Sequence, residues 1–208
     1  MSPERQEDYD FLSALGGRHG IADSSVPALA FIAAYAASGG ELEVALWVAV
    51  GVAALLTVAR VVRRETLQFA LAGFAGVAIA AFIAQRTGRA EDFFLPGLLA
   101  NLGYAATYAI SIAVRWPLLG VIVGLLSGEG MGWRKDPERV RVYARASWIW
   151  VGIFCFRLAV QLPLYLAGWV VALGVARAAM GIPIFALGLW LSYLVLRAGG
   201  ELTREPAR

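Results

Sequence analysis

From Val26 to Leu196 the chain alternates between long apolar runs and short connections rich in arginine. A helix that crosses a bilayer needs about 20 largely apolar residues, each advancing about 1.5 Å along the axis. By that measure the runs predict spanning helices near residues 25–38, 43–62, 66–85, 93–114, 145–166 and 176–196. The first is short, and Pro27 suits its opening turn, where no backbone donor is lost. The run near 116–127, from Trp116 onward, is too short to cross and reads as a re-entrant or interfacial segment. Pro163 either lies within the fifth helix or ends it, and the second alternative turns Leu164 to Val175 into a further helix. The expected fold is therefore an all-α integral membrane protein, a bundle of about six transmembrane helices, with seven as the alternative. Residues 1–24 form a polar acidic tail, 25–197 the transmembrane domain and 198–208 a second tail.

Composition supports the membrane reading. With 60% hydrophobic and 16% charged residues and a mean hydropathy of +0.68, a water-soluble domain of 208 residues could not cover its surface with polar groups. The net charge of +3 and pI near 9.3 do not indicate nucleic-acid binding, because the cations lie in short clusters between apolar runs. All of them except Lys135 are arginine. In the head of the chain Glu4, Glu7, Asp8, Asp10 and Asp23 outnumber Arg5 and Arg18, the reverse of a leader peptide's positive start.

Loop charges orient the bundle. The connection Gly39-Gly40-Glu41-Leu42-Glu43 has no cation, whereas Arg60, Arg63 and Arg64 follow the second run. Arg134, Lys135, Arg139, Arg141 and Arg145 follow the short segment, and by the positive-inside rule both clusters are cytoplasmic. Six spans then leave both termini cytoplasmic, in agreement with Arg197, Arg204 and Arg208. Arg86 and Arg89 fall outside, accompanied by Glu91 and Asp92.

Small residues recur where helices could approach closely: Ala72, Gly76, Ala80 and Ala84 on the third helix, and Gly174, Gly181 and Gly188 on the last. An Ala- and Gly-rich composition produces such runs as well. Pro27, Pro96 and Pro163 open apolar runs at similar intervals, a faint internal repeat of the kind found in transporters.

Arg157 is the most exceptional residue, since it interrupts an apolar run and has Gln161 one turn away on the same face. A charge at mid-membrane costs roughly 2.5 to 3.5 kcal/mol on insertion scales, so it requires protein, water or a partner. On the expected topology Glu91, Asp92 and Arg177 lie at the same level, which makes Glu91, Asp92, Arg157, Gln161 and Arg177 one candidate polar cluster. Snorkelling of the arginines to the headgroups is the alternative. Asn101, Tyr104, Tyr108, Ser111 and Arg115 step by three or four residues down the fourth helix, a second candidate, lining either a pathway or a packing face. The cations at 134–145, flanked by Trp133, Tyr143 and Trp148, suit anionic lipid headgroups or an ordinary cytoplasmic loop.

Catalytic constellations are not evident. The single histidine, His19, lies in the polar head, and the single cysteine, Cys155, sits in an apolar run, so no metal ligand set, no cofactor and no hydrolytic triad is predicted.

The stretches GGRHGIADSSVPALAFIAAY, RTGRAEDFFLPGLLANLGYA, FRLAVQLPLYLAG and GIPIFALGLW resemble an actinobacterial integral-membrane family known as domain of unknown function 3159. The likeness runs from about Gly16 to Arg197. It implies a multi-pass protein of the plasma membrane in a high-GC Gram-positive bacterium, and it implies no substrate or catalytic residue. Three function classes follow, in order of preference. They are a non-enzymatic scaffold binding lipids, a membrane-protein partner or a second copy; a transporter or channel for small solutes or lipids; and an intramembrane enzyme using Glu91 and Asp92.

Overall fold

The computed structural model describes residues 26–63 and 67–200. The acidic tail expected over 1–24, His19, Arg64 and residues 201–208 of the second tail lie outside the described residues. All described elements are helical. They are α1 (Val26–Ala37), α2 (Leu42–Val62), α3 (Leu67–Thr87), a 3-10 turn (Ala90–Phe94), α4 (Leu95–Ala113) and α5 (Leu118–Leu126). A second 3-10 turn (Gly132–Lys135), α6 (Pro137–Leu166), α7 (Val170–Ala179) and α8 (Ile182–Ala198) complete the order.

Four helical stretches among the described residues have the length and apolarity to cross a membrane: Leu42–Val62, Ala90–Ala113, Pro137–Leu166 and Val170–Ala198. The 12 residues of α1 extend only about 18 Å, short of the roughly 30 Å hydrocarbon layer. Large apolar side chains, among them Trp47, Leu55, Leu166 and Trp190, remain exposed along these helices. An aqueous surface would not tolerate so many, and lipid does. The protein is a helical membrane protein.

Two boundaries differ from those expected. The helix placed at 145–166 begins eight residues earlier, at Pro137, because Pro137 occupies a first-turn position and the Asp136 carboxylate accepts the Glu138 N–H at 2.8 Å. The last apolar stretch is broken: α7 stops at Ala179 and α8 starts at Ile182, with Pro183 in its first turn. Gly174 and Gly188 consequently lie on different helices. Pro163 stays inside α6, which continues to Leu166. There Gly168, at φ 68°, closes the helix, with the Gly168 N–H on Tyr165 O and the Trp169 N–H on Leu164 O, a Schellman end.

The described residues form two compact units. The first comprises 26–96 and 164–178. Its core joins Phe31, Ala45, Ala49, Ala84, Phe94 and Leu173, with Phe31 stacked on Phe93 at 4.1 Å between ring centres. Ala80 and Ala84 of the small-residue row are buried there, whereas Ala72 and Gly76 are exposed. A Cβ at Gly174 would collide with Ile32, so that glycine permits α1 and α7 to meet.

The second unit comprises 97–163 and 179–200. Its core is aromatic: Tyr108, Trp133, Tyr143 and Trp150. Trp133 is completely buried, lying against Gly120 and Gly124 of α5 and edge-on to Tyr143 at 5.1 Å. A Cβ at Gly120 would come within 2.9 Å of the indole. Two glycines one turn apart therefore make the slot that the indole fills. α5 has nine residues and spans about 14 Å, so it cannot cross. It is pinned to α6 by the Leu119 N–H on Ser147 Oγ at 3.3 Å. α6 and α8 pack through Gly188, against Ile153 and Trp150, and through the Trp150 indole N–H, which donates to Ser192 Oγ at 3.1 Å.

Candidate functional site

The five residues of the expected polar cluster fall in two groups. Glu91, Asp92 and Arg177 belong to the first unit, Arg157 and Gln161 to the second.

In the first unit the polar residues serve the 3-10 turn. The Asp92 carboxylate is buried and accepts a hydrogen bond from the Tyr165 hydroxyl. Arg89 donates from Nε to Glu91 Oε1 at 2.8 Å and lies over the Tyr165 ring at 5.7 Å. The hydrogen bond to Glu91, reinforced by the charges of Glu91 and Asp92, holds the Arg89 guanidinium above its usual pKa. Arg177 contacts Phe94, with its Nη1 at 3.4 Å from the carbonyl oxygen and its guanidinium over the ring at 5.9 Å. Tyr165 was not singled out in the sequence. Its spacing of four from Gln161 on an otherwise apolar helix was the available signal.

In the second unit Arg157 answers a backbone need. The break leaves the Met180 carbonyl without a helical donor among the described residues, while Gly181 O accepts the Phe185 N–H of α8 at 3.3 Å, and Arg157 Nη2 donates to both carbonyls, to Gly181 O at 2.8 Å. A cation beside helix-terminal carbonyls is also favoured by the helix dipole. Arg157 Nε and the Oε1 of Gln161, a residue 2% exposed, are buried without a hydrogen-bond partner among the described residues.

The α4 stripe divides by environment. Tyr104 is 56% exposed and Tyr108 8%, the latter stacked on Trp150 at 6.1 Å. Asn101 is partly buried. Ser111 is a staple: its hydroxyl donates to Tyr108 O at 2.7 Å and accepts from the Leu118 N–H at 3.1 Å. Arg115 closes α4. Its N–H bonds Ile112 O at 3.0 Å and the next N–H, of Trp116, bonds Ser111 O at 2.8 Å, again a Schellman end.

Of the loop cations at 134–145, Arg139 forms a two-pronged ion pair with Glu129, part-buried, and reaches the Tyr143 hydroxyl at 3.4 Å. Arg134 stacks over Trp116 at 4.2 Å. Arg115, Arg134 and Arg141 line one cavity of about 530 Å³ together with Ile112, Pro117 and Val140. A second cavity, of about 460 Å³, lies in the first unit between Trp47 and Phe82, with Glu43 and Gln85 among its walls. No group of three His, Cys, Asp or Glu side chains that could hold a metal occurs among the described residues.

The family described as protein of unknown function (DUF3159) matches residues 15–202. Comparison with curated proteins gives no match, and neither does comparison with solved structures.

Proposed function

The chain belongs to the DUF3159 family of proteins of unknown function, and from that premise we propose that it is a non-enzymatic bundle of the cell envelope whose rim binds lipid or a membrane partner. The observation that carries this reading is where the polar side chains of the helices go. Arg157, Asp92, Ser111, Ser147 and Ser192 each hydrogen-bond another part of the fold. Side chains engaged in this way stabilise a helix break, a turn or a helix pair and leave little for a moving solute. The distribution of loop arginines supports a plasma-membrane orientation with both termini in the cytoplasm.

A solute path is the second reading, favoured by the buried, partnerless Gln161 Oε1 and Arg157 Nε one turn apart. Thiol labelling separates the two. In a chain carrying Cys155→Ala, the substitutions Asn101→Cys, Tyr104→Cys and Tyr108→Cys are made singly and exposed to a membrane-impermeant reagent. Protection at all three is expected for the bundle, and reaction at Tyr108→Cys would replace it by the path. Reporter fusions after Glu41 and after Gly130 test the orientation, the second being expected inside.

A further inference from the structure

The corner between α4 and α5 contains a cation held in a costly backbone conformation. Arg115 has φ 54°, the one non-glycine residue with positive φ among those described. The equivalent positions in two other helix ends are Gly39, at φ 73°, and Gly168, at φ 68°. Glycine adopts this conformation freely, while an L-residue with a side chain is disfavoured by roughly 1–2 kcal/mol. Nothing in the Schellman hydrogen bonds requires a side chain at this position. A strained residue where glycine would serve directs attention to what its side chain does.

That side chain lines the cavity shared with Arg134 and Arg141. None of the three arginines has a carboxylate partner among the described residues, whereas Arg89 pairs with Glu91 and Arg139 with Glu129. Asp136 caps α6 through the Glu138 N–H, and Glu138 lines a separate cavity with Arg139 and Arg145. Among the described residues Arg141 donates to its own helix, from Nε to Pro137 O at 3.3 Å. The stack of Arg134 on Trp116 fixes one guanidinium at the rim, and Ile112, Pro117 and Val140 supply an apolar wall. Three like charges facing one space repel unless an anion lies among them, and guanidinium forks match phosphate oxygens.

We propose that this three-arginine cavity binds the phosphate of an anionic phospholipid, with the acyl chains leaving along the apolar wall. The proposal rests on the lipid-binding reading above and names its site and ligand class. An apolar wall beside the cations is what distinguishes a lipid headgroup from a free phosphate ester.

The test uses the full chain extracted in mild detergent and read by native mass spectrometry, with phosphatidylglycerol, phosphatidylcholine and inorganic phosphate as probes. Phosphatidylglycerol should be retained in preference to phosphatidylcholine. A cation near a membrane surface contributes about 1 kcal/mol, roughly fivefold in affinity, so combining Arg115→Gln, Arg134→Gln and Arg141→Gln should weaken retention roughly a hundredfold. The charge-matched combination Arg63→Gln, Arg145→Gln and Arg197→Gln should not.

Arg115→Gly supplies a readout that misfolding could not imitate. It should melt at or above the temperature of the parent protein while losing phosphatidylglycerol about fivefold. Equal loss in the charge-matched control, or full retention in the triple variant, would overturn the site. Binding of inorganic phosphate as tight as that of phosphatidylglycerol would overturn the lipid assignment in favour of a soluble phosphate ester. Thiol labelling of α4 fails independently: a reactive Tyr108→Cys with lipid still retained removes the bundle reading and leaves the cavity.

Discussion

At the break between α7 and α8, the carbonyls of Met180 and Gly181 accept hydrogen bonds from the Arg157 side chain. At the end of α4, the carbonyls of Ser111 and Ile112 accept them from backbone amides, and the Arg115 side chain is left to line a cavity. Both places end a helix beside an arginine. The difference is whether backbone can turn back on itself. After Met180 the chain enters α8 at once, with Pro183 close by; Gly181 O receives the Phe185 N–H of α8, but among the described residues no amide returns to Met180 O. After Ala113 the left-handed residue at 115 brings two amides back. A cation within the helical region is thus held by the fold, whereas one at the rim remains available to something outside it.

Replacing Arg157 tests the first half of this comparison and should have the largest effect. Arg157→Leu leaves the Met180 carbonyl without a donor in a low-dielectric setting, which costs roughly 1–3 kcal/mol, takes the charged donor from Gly181 O, which keeps only the Phe185 N–H, and removes the cost of a half-buried charge. A net loss of about 3 kcal/mol is expected, read as a large drop in melting temperature in detergent. Arg157→Lys keeps a charge and a donor and should recover about half of that loss. If Arg157→Leu melts with the parent protein, the carbonyls have other donors and the contrast with Arg115 disappears.

The carbonyl role of Arg157 also shows which parts of the molecule can be read from residue order. Runs such as 43–62 and 93–114 were legible because a bilayer demands about 20 apolar residues whatever the partners. The first turns of α6 were not, since Glu138, Arg139 and Arg141 resemble a loop when only hydropathy is counted. The capping signal, Asp136 followed by Pro137, was nevertheless present. Arg157 stood out as unusual, and its expected company was the polar cluster of Glu91, Asp92, Gln161 and Arg177. Its partners are carbonyl oxygens at a helix break, which no side-chain inventory contains. The slot for Trp133 depended on Gly120 and Gly124, whose spacing of four is visible in the sequence only once a ring is known to lie across it.

That slot supports the α5 side of the Arg115 corner, and filling it gives the next largest effect. The Cβ of Gly124→Ala would fall on the Gly130 carbonyl oxygen and 2.9 Å from the Trp133 indole nitrogen. The carbonyl cannot move without the turn that carries it, so a loss of about 2 kcal/mol is expected, within the range for an overpacked core. Gly103→Ala on α4 is the control, because nothing lies within 4 Å of its Cβ. Better helix propensity should leave that variant as stable as the parent or more so. Equal melting temperatures for Gly124→Ala and Gly103→Ala would mean that the indole is not held tightly enough to order the corner.

The smallest effect should come from Ser111, and it bears most directly on why Arg115 is where it is. Leu118 begins α5, so its N–H has no acceptor within that helix, and Ser111 Oγ from the previous helix accepts it. Ser111→Ala removes that acceptor at a cost of about 1 kcal/mol, while Ser111→Thr preserves the hydroxyl. Hydrogen exchange should accelerate at the Leu118 amide in the alanine variant and remain unchanged at Leu119, whose amide is held by Ser147. The corner should loosen around Arg115 without altering any charge. Retention of phosphatidylglycerol should therefore fall in Ser111→Ala and be unaffected in Arg157→Lys, although the second variant is the less stable. The reverse order would mean that lipid retention follows overall stability and not the geometry of the corner.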